Sequence, residues 1–221
     1  MTDKEQWTAV DRYITDLLVA PDAALDAALA DSAAADLPAI SVSPNQGKLL
    51  HLLARVRGAQ HILEIGTLGA YSTIWLARAL PADGRMVTLE AVPKHAAVAR
   101  KNLERAGLHG VVELIEGKAI ETLPRLAGLD PFDFVFIDAD KPSTTEYFQW
   151  AMRLTRPGSV IIVDNVVRSG NVIDAKSDDE GVRGIRRFND ALAVERRVTA
   201  TAVQTVGSKG YDGFAMIVVN D

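Results

Sequence analysis

The chain has 221 residues, with 24 Lys and Arg against 29 Asp and Glu for a net charge of -5, and it contains no cysteine. This composition excludes a disulfide framework, thiolate zinc sites, iron-sulfur clusters and cysteine nucleophiles, and it disfavours a general nucleic-acid binder, whose phosphate contacts need clustered Lys and Arg. No apolar run reaches the roughly 18 residues of a membrane span and no basic start precedes an apolar segment, so a soluble cytoplasmic protein acting on small molecules, with no membrane partner, is expected.

Trp7, Val10, Ile14, Leu17 and Leu18 recur at helical spacing, and an Ala-rich stretch follows Pro21-Asp22, which predicts two helices ahead of the core. Their apolar stripe fits a cap or a dimer contact equally well. From Pro44 onward, short runs of Val, Ile and Leu alternate with longer amphipathic stretches, the pattern of β-α units feeding a mainly parallel sheet. The fold class is therefore α/β, read as one domain with residues 1–43 as a helical cap and 44–221 as the core. Strands are predicted at His61 to Ile65, Arg85 to Glu90, Val111 to Ile115, Phe132 to Ile137 and Ser159 to Val163. Pro93 opens a helix that Gly107 closes, and Pro157-Gly158 stops the helix before the fifth strand. After a helix from about Glu180 to Glu195, Val198 to Thr205 and Gly210 to Val219 face each other across a short glycine-bounded turn, which predicts an antiparallel hairpin at one sheet edge.

The first strand runs into Glu64-Ile65-Gly66-Thr67-Leu68-Gly69-Ala70-Tyr71-Ser72, small residues at the carboxyl end of a strand, where open α/β sheets bind ligands. Glycine allows close backbone approach, and Ser72 is placed to cap the next helix and to offer donors to an anion. Glu90 ends the second strand, where a carboxylate accepts from both hydroxyls of a ribose. A nucleoside cofactor follows. No G-x-G-x-x-G or P-loop pattern is present, and Glu64 would repel a diphosphate. That carboxylate suits a ligand carrying an ammonium and a sulfonium, such as S-adenosylmethionine.

The fourth strand ends in Asp138-Ala139-Asp140-Lys141 and the fifth in Asp164-Asn165. Neighbouring strand tips lie roughly 5 Å apart, so Asp138, Asp164 and Asn165 can converge. Three oxygen donors without His or Cys suit Mg²⁺, with Mn²⁺ or Ca²⁺ as alternatives. Lys141 beside them is the catalytic candidate, stabilising an oxyanion as an ammonium or acting as a base when deprotonated. Strand-end Asp and Asn also cap helices, a role open to Asp140 and Asn165. Arg183, Arg186 and Arg187 recur at helical spacing and suit either an acidic acceptor or a solvated face. His51, His61, His95 and His109 form no ligand pattern.

Glu64-Ile65-Gly66 with Tyr71-Ser72, the strand ending in Glu90, Glu116-Gly117-Lys118-Ala119, Asp138-Ala139-Asp140-Lys141 and Asp164-Asn165 together resemble the cation-dependent, S-adenosylmethionine-dependent O-methyltransferases that include catechol and caffeoyl-CoA O-methyltransferases. The resemblance runs from about Val42 to the C-terminus. It implies a Rossmann-like class I methyltransferase with a mainly parallel seven-stranded sheet, and methyl transfer to a hydroxyl of a small catechol-like phenol. It places cofactor contacts on Val42, Glu64, Gly66, Thr67, Ser72, Glu90, Ala119 and Asp140, with Ser72 on the methionine carboxylate, Glu90 on the ribose and Ala119 on the adenine edge. Metal ligands fall on Asp138, Asp164 and Asn165, catalytic roles on Lys141 and Asp138, and a homodimer is implied. Residues 166–180 are expected to act as a lid carrying Ser169 at a substrate-contacting position. Relatives often have Gly-Gly-Tyr-Ser where this chain has Gly69-Ala70-Tyr71-Ser72, so the methyl of Ala70 is expected to crowd the cofactor if position 70 needs a positive φ. The rival classes are a nucleic-acid methyltransferase and a non-catalytic cofactor-binding protein of the same fold.

Overall fold

A computed structural model describes residues 1–221. Strands β1 (His61–Ile65), β2 (Arg85–Glu90), β3 (Val112–Glu116), β4 (Phe132–Ile137), β5 (Thr155–Asp164), β6 (Val198–Gly207) and β7 (Gly210–Val219) form one sheet in the order β3-β2-β1-β4-β5-β7-β6. The first five run parallel, and β7 lies antiparallel between β5 and β6. The helices are α1 (Asp3–Leu18), α2 (Ala23–Ala34), α3 (Pro44–Arg57), α4 (Tyr71–Ala77), α5 (Pro93–Arg105), α6 (Ala119–Thr122), α7 (Thr144–Leu154) and α8 (Glu180–Val194). The chain walks outward from β1 to β3 and then returns to place β4 on the other side of β1. That reversal opens a crevice at the carboxyl end of β1.

Alternation along the strands builds a core on each face of the sheet. Leu63, Ile65, Val135, Ile137, Ile161 and Val163 pack on one side, and Ile62, Phe134, Phe136, Val160 and Ile162 on the other. Glu64 falls in register with the second set, which is why its carboxylate points inward. At the opposite end of the strands, Asp133 is also buried. It accepts from the Gln60 and His61 amides at 2.9 and 3.2 Å and is ion-paired to Arg156 at 2.6 Å and Arg57 at 3.3 Å, fixing β4 against the start of β1. No helix is long and apolar enough to cross a membrane.

Two sequence expectations are corrected here. α7 ends at Leu154, before Pro157-Gly158, because Thr155 already turns extended with φ -112° and ψ 176°. Pro157 and Gly158 instead lie within β5, where the register with β4 shifts between Phe132 and Phe134. A proline is tolerated there because the irregularity frees its position from the ladder. β3 also begins and ends one residue later than its apolar run suggests.

The N-terminal segment is fastened to the far end of the chain. Asn45 Nδ2 donates to Asp11 Oδ1 at 3.1 Å, and the amide of Ser208, in the two-residue turn between β6 and β7, donates to Asp11 Oδ2 at 2.7 Å. Lys209 Nζ in the same turn donates to the Ala39 carbonyl at 3.1 Å. These bonds hold Ile40, Ser41 and Val42 over the crevice. By contrast α1 has no buried residue, and Val10, Ile14, Leu17 and Leu18 all remain exposed.

Candidate active site

A cleft of about 480 Å³ lies at the carboxyl ends of β1, β2 and β4. Val42, Gly66, Thr67, Ser72, Glu90, Ala119, Asp138, Asp140, Lys141 and Asn165 all border it. Of the cofactor, metal and catalytic residues expected from sequence, only Glu64 and Asp164 do not. Both are buried immediately behind the wall, at 0% and 5% exposure.

The loop after β1 is shaped by backbone conformations that side chains resist. Gly66 has φ 101°, and a Cβ there would strike the Asp138 carbonyl. Leu68 and Ala70 hold φ of 51° and 68° without being glycine. Such positions cost of order 1–3 kcal/mol each and persist only where the surroundings enforce them. Glu90 is the enforcer. Its Oε2 accepts from the amides of Leu68 at 2.8 Å and Thr67 at 3.3 Å, and its Oε1 accepts from the Val92 amide at 2.9 Å. A carboxylate has roughly four lone-pair sites, so Glu90 can hold the loop and still accept from a ribose. His95 Nδ1 stands 3.4 Å from Glu90 Oε1 and also borders the cleft.

Ser72 is not the helix cap. α4 starts at Tyr71 with Ala70 in the capping place, and no side chain bonds there. Ser72 Oγ donates instead to Glu64 Oε1 at 2.7 Å, while Thr73 and Thr88 donate to Glu64 Oε2 at 2.5 and 2.7 Å. Position 70 does need a positive φ, but Ala70 is fully buried and is not among the residues that border the cleft. Glu64 reaches the cleft only through Ser72.

Burial raises Glu64 to about pH 7; the three hydroxyl donors oppose that rise and the nearby Asp138 charge adds to it. The ordinary value is 4.5, so between these limits only the folded chain keeps the proton. This contribution to stability is complete at low pH and is lost as pH rises through about 7, with an upper limit of about 3 kcal/mol. Glu64→Gln is expected to flatten that slope, so that thermal melts show the variant gaining on the wild type from about pH 5 to about pH 8. Parallel melting curves at both pH values would refute the assignment.

At the second corner, Ile137 pairs with Val163, which sets the tips of β4 and β5 side by side. Lys141 Nζ is 2.8 Å from Asp138 Oδ1. Asp164 accepts from Gln46 Nε2 at 2.7 Å and from the Asn165 amide at 2.9 Å. Burial, then the Asp138 charge, pushes Asp164 up to about 7, with Lys141 opposing. Asn165 holds φ 60°, so it caps no helix. Asp140 does cap, accepting from the Ser143 amide at 3.2 Å, and it also accepts from Tyr147 at 2.5 Å. No group of three or more His, Cys, Asp or Glu side chains gathers anywhere in the chain. The corner nevertheless fits a hard cation: the Asp138 and Asp164 carboxylates repel each other, Lys141 offsets only part of that charge, and the Asn165 carboxamide completes an oxygen donor set.

Residues 166–173 turn tightly after β5. The amides of Val167, Arg168 and Gly213 all donate to Asp212 Oδ1, at 3.0, 2.9 and 2.9 Å. Arg168 and Ser169 each hold φ 55°. Arg168 borders the cleft, whereas Ser169 is exposed and does not. Arg186 and Arg187 are committed elsewhere, donating to the Val172 carbonyl at 2.6 Å and the Pro142 carbonyl at 2.7 Å. Gln46, Thr73, Thr88, Tyr147 and Arg168 escape the sequence reading, and His95 shows no ligand pattern there. Only Thr88 left a signal, a polar residue inside an otherwise apolar strand two positions before Glu90.

A family model described as O-methyltransferase matches residues 22–215. The catechol O-methyltransferase of Niastella koreensis is 58% identical over 213 residues, covering 96% of each chain. The crystal structure of the O-methyltransferase from Bacillus cereus in complex with S-adenosylhomocysteine has a TM-score of 0.97 and 58% identity, covering 98% of this chain and 100% of that one. An O-methyltransferase of Streptomyces achromogenes involved in tomaymycin synthesis, solved in complex with S-adenosylmethionine, has a TM-score of 0.97 and 52% identity over 100% of both chains. The seven-stranded sheet with its antiparallel hairpin is thus the Rossmann-like class I methyltransferase fold, and the chain belongs to the family of S-adenosylmethionine-dependent O-methyltransferases.

Proposed function

We propose that this cleft transfers the methyl group of S-adenosylmethionine to one hydroxyl of a small phenol carrying two adjacent hydroxyls, as in a catechol. The observation that carries the reading is the contact between Gly66 and the Asp138 backbone, which sets the cofactor loop directly against the corner formed by Asp138, Lys141, Asp164 and Asn165. Val42, Gly66, Thr67, Ser72 and Asp140 line the cofactor's path, Glu90 takes the ribose hydroxyls and Ala119 the adenine edge. Glu64 acts behind Ser72 by accepting its O–H, which leaves the serine oxygen turned to the methionine end as an acceptor for the cofactor's ammonium. The phenolic oxygen attacks the methyl carbon; the C–O bond forms as the C–S bond breaks, and the sulfur keeps the electron pair as a neutral thioether. Lys141, the one amine at this corner, takes the phenolic proton in its neutral form, after the ammonium that pairs with Asp138 has released its own proton to solvent. A divalent cation held by Asp138, Asp164 and Asn165, Mg²⁺ by preference, would supply Lewis acidity to the two hydroxyls and draw Asp138 away from the lysine. Positioning on fixed side chains supplies much of the acceleration, because it replaces the entropy lost in bringing two reactants together.

The exposed stripe of α1, with exposed Val203 and Val206 on the adjoining β6, supports a homodimer in which a second copy covers this face. A chain without cysteine suits a reducing cytoplasm.

The test is S-adenosylhomocysteine release with vicinal diols and with matched monophenols, in Mg²⁺ and in EDTA. Turnover is expected only with the diols, abolished by EDTA and restored by excess Mg²⁺. Equal turnover of monophenols, or indifference to EDTA, would overturn the reading.

A further inference from the structure

Among the cationic side chains around the cleft, Arg168 alone has nothing to do. Lys141 is ion-paired with Asp138, and Arg186 and Arg187 are spent on backbone carbonyls. The guanidinium of Arg168 makes no hydrogen bond or ion pair with the protein, and its Nε is a buried donor without a partner. Leaving such a donor unpaired is costly by roughly 1–3 kcal/mol. The backbone that presents it is itself strained, with Asn165, Arg168 and Ser169 all at positive φ and locked by Asp212. A surface arginine needs none of this.

Asp179 is the acid whose charge Arg168 faces, and it is held below its usual range by the Val182 amide first and by the Arg168 and Arg183 charges after it, yet the two side chains form no ion pair. Its Oδ1 is occupied in capping α8 through the Val182 amide at 2.8 Å. Arg168 lies three residues beyond Asn165 in the same turn and lines the cleft together with Asn165 and Lys141. A planar fork of donors in a partly dry wall matches a carboxylate bidentately.

We infer that Arg168 selects acceptors that carry a carboxylate on the ring bearing the two hydroxyls, so that the preferred substrate class is an acidic catechol. This rests on the methyl-transfer reading above and adds the chemistry of the acceptor's far end.

The experiment compares 3,4-dihydroxybenzoate, its methyl ester and catechol as acceptors for the full-length enzyme with Mg²⁺, in the wild type, Arg168→Lys and Arg168→Leu. The expected result is a wild-type kcat/KM for the acid exceeding that for the ester by about 10–100-fold, the worth of a charge-assisted pair. The ratio of acid to ester is expected to collapse toward one in Arg168→Leu and to fall partway in Arg168→Lys, the change residing in KM. Reading a ratio removes any loss common to both acceptors from disturbing the strained turn. A ratio unchanged by either variant, with catechol still methylated, overturns the inference and leaves the reaction standing. If no acceptor is methylated by the wild type, the reaction and the inference fall together. Weakened S-adenosylhomocysteine binding in Arg168→Leu, with the acid-to-ester ratio intact, would assign the arginine to the cofactor instead and overturn the inference too.

Discussion

Gly66→Ala is expected to weaken S-adenosylmethionine binding about 100-fold and to abolish measurable turnover, since a displacement of roughly 1 Å at a reacting centre can cost that much. The methyl group has nowhere to go. Gly66 sits at φ 101°, a conformation that side chains resist, and its Cβ would strike the Asp138 carbonyl. β1 and β4 cannot part to make room, because the Asp138 amide donates to the Ile65 carbonyl at 2.9 Å while the Gly66 amide is held on the other side by the Leu89 carbonyl of β2 at 3.0 Å. The clash and the backbone strain together should lower stability by roughly 2–4 kcal/mol. Both corners of the site move at once, so cofactor binding by calorimetry and turnover should fail together in a protein that still melts cooperatively. Cofactor affinity within threefold of the wild type would show that the close approach of β1 and β4 is not what shapes the cleft.

Lys141→Met should leave cofactor binding nearly intact and lower kcat by about 10²–10⁴-fold, the usual span for a positioned proton acceptor. The methionine keeps much of the apolar stem and removes only the amine, while the glycine loop and Glu90 are untouched. Lys141→Arg separates the two things an amine can do here. Arginine preserves a cation 2.8 Å from Asp138 in principle, yet it cannot accept a proton near neutral pH. If Lys141 takes the phenolic proton, the arginine variant is as slow as the methionine one. Retention of more than about a tenth of wild-type kcat in Lys141→Arg would mean that the residue works as a fixed positive charge, since losing a base costs at least about 10²-fold.

The bounds of β1, β2 and β4 could be read directly because each is a short apolar run closed by punctuation, and the hairpin because glycines bracket its turn. The beginning of β5 could not. Thr155 to Gly158 show no alternation, and the pairing that makes them a strand comes from Phe132, more than twenty positions upstream. The same limit applies within the site. Ser72 was misread as a cap because the rule gives the left-handed position to glycine, whereas here the tightly bound loop forces Ala70 into it. Glu64 was expected to face a ligand, but Thr73 and Thr88 meet its carboxylate from two other elements and turn it into an internal anchor. For Arg186 and Arg187 the spacing leaves an acidic acceptor or a solvated face open, because their carbonyl partners, Val172 and Pro142, belong to separate turns, and the cation without a partner is Arg168, three residues past Asn165. Spacing along the chain identified the donors of the second corner. What those donors face depends on elements that meet only after folding.

The placement of β7 inside the sheet has a consequence for how the protein comes into being on the ribosome. β7 follows every other strand in the chain, yet it sits between β5 and β6, and its Asp212 and Gly213 tie down the turn that carries Arg168. The turn just before it fastens Ala39 and Asp11, the segment closing the cofactor side. A nascent chain can therefore assemble its β1 to β4 layer early, but neither the wall around Val42 nor the Arg168 turn is secured until residues 207–219 have left the exit tunnel.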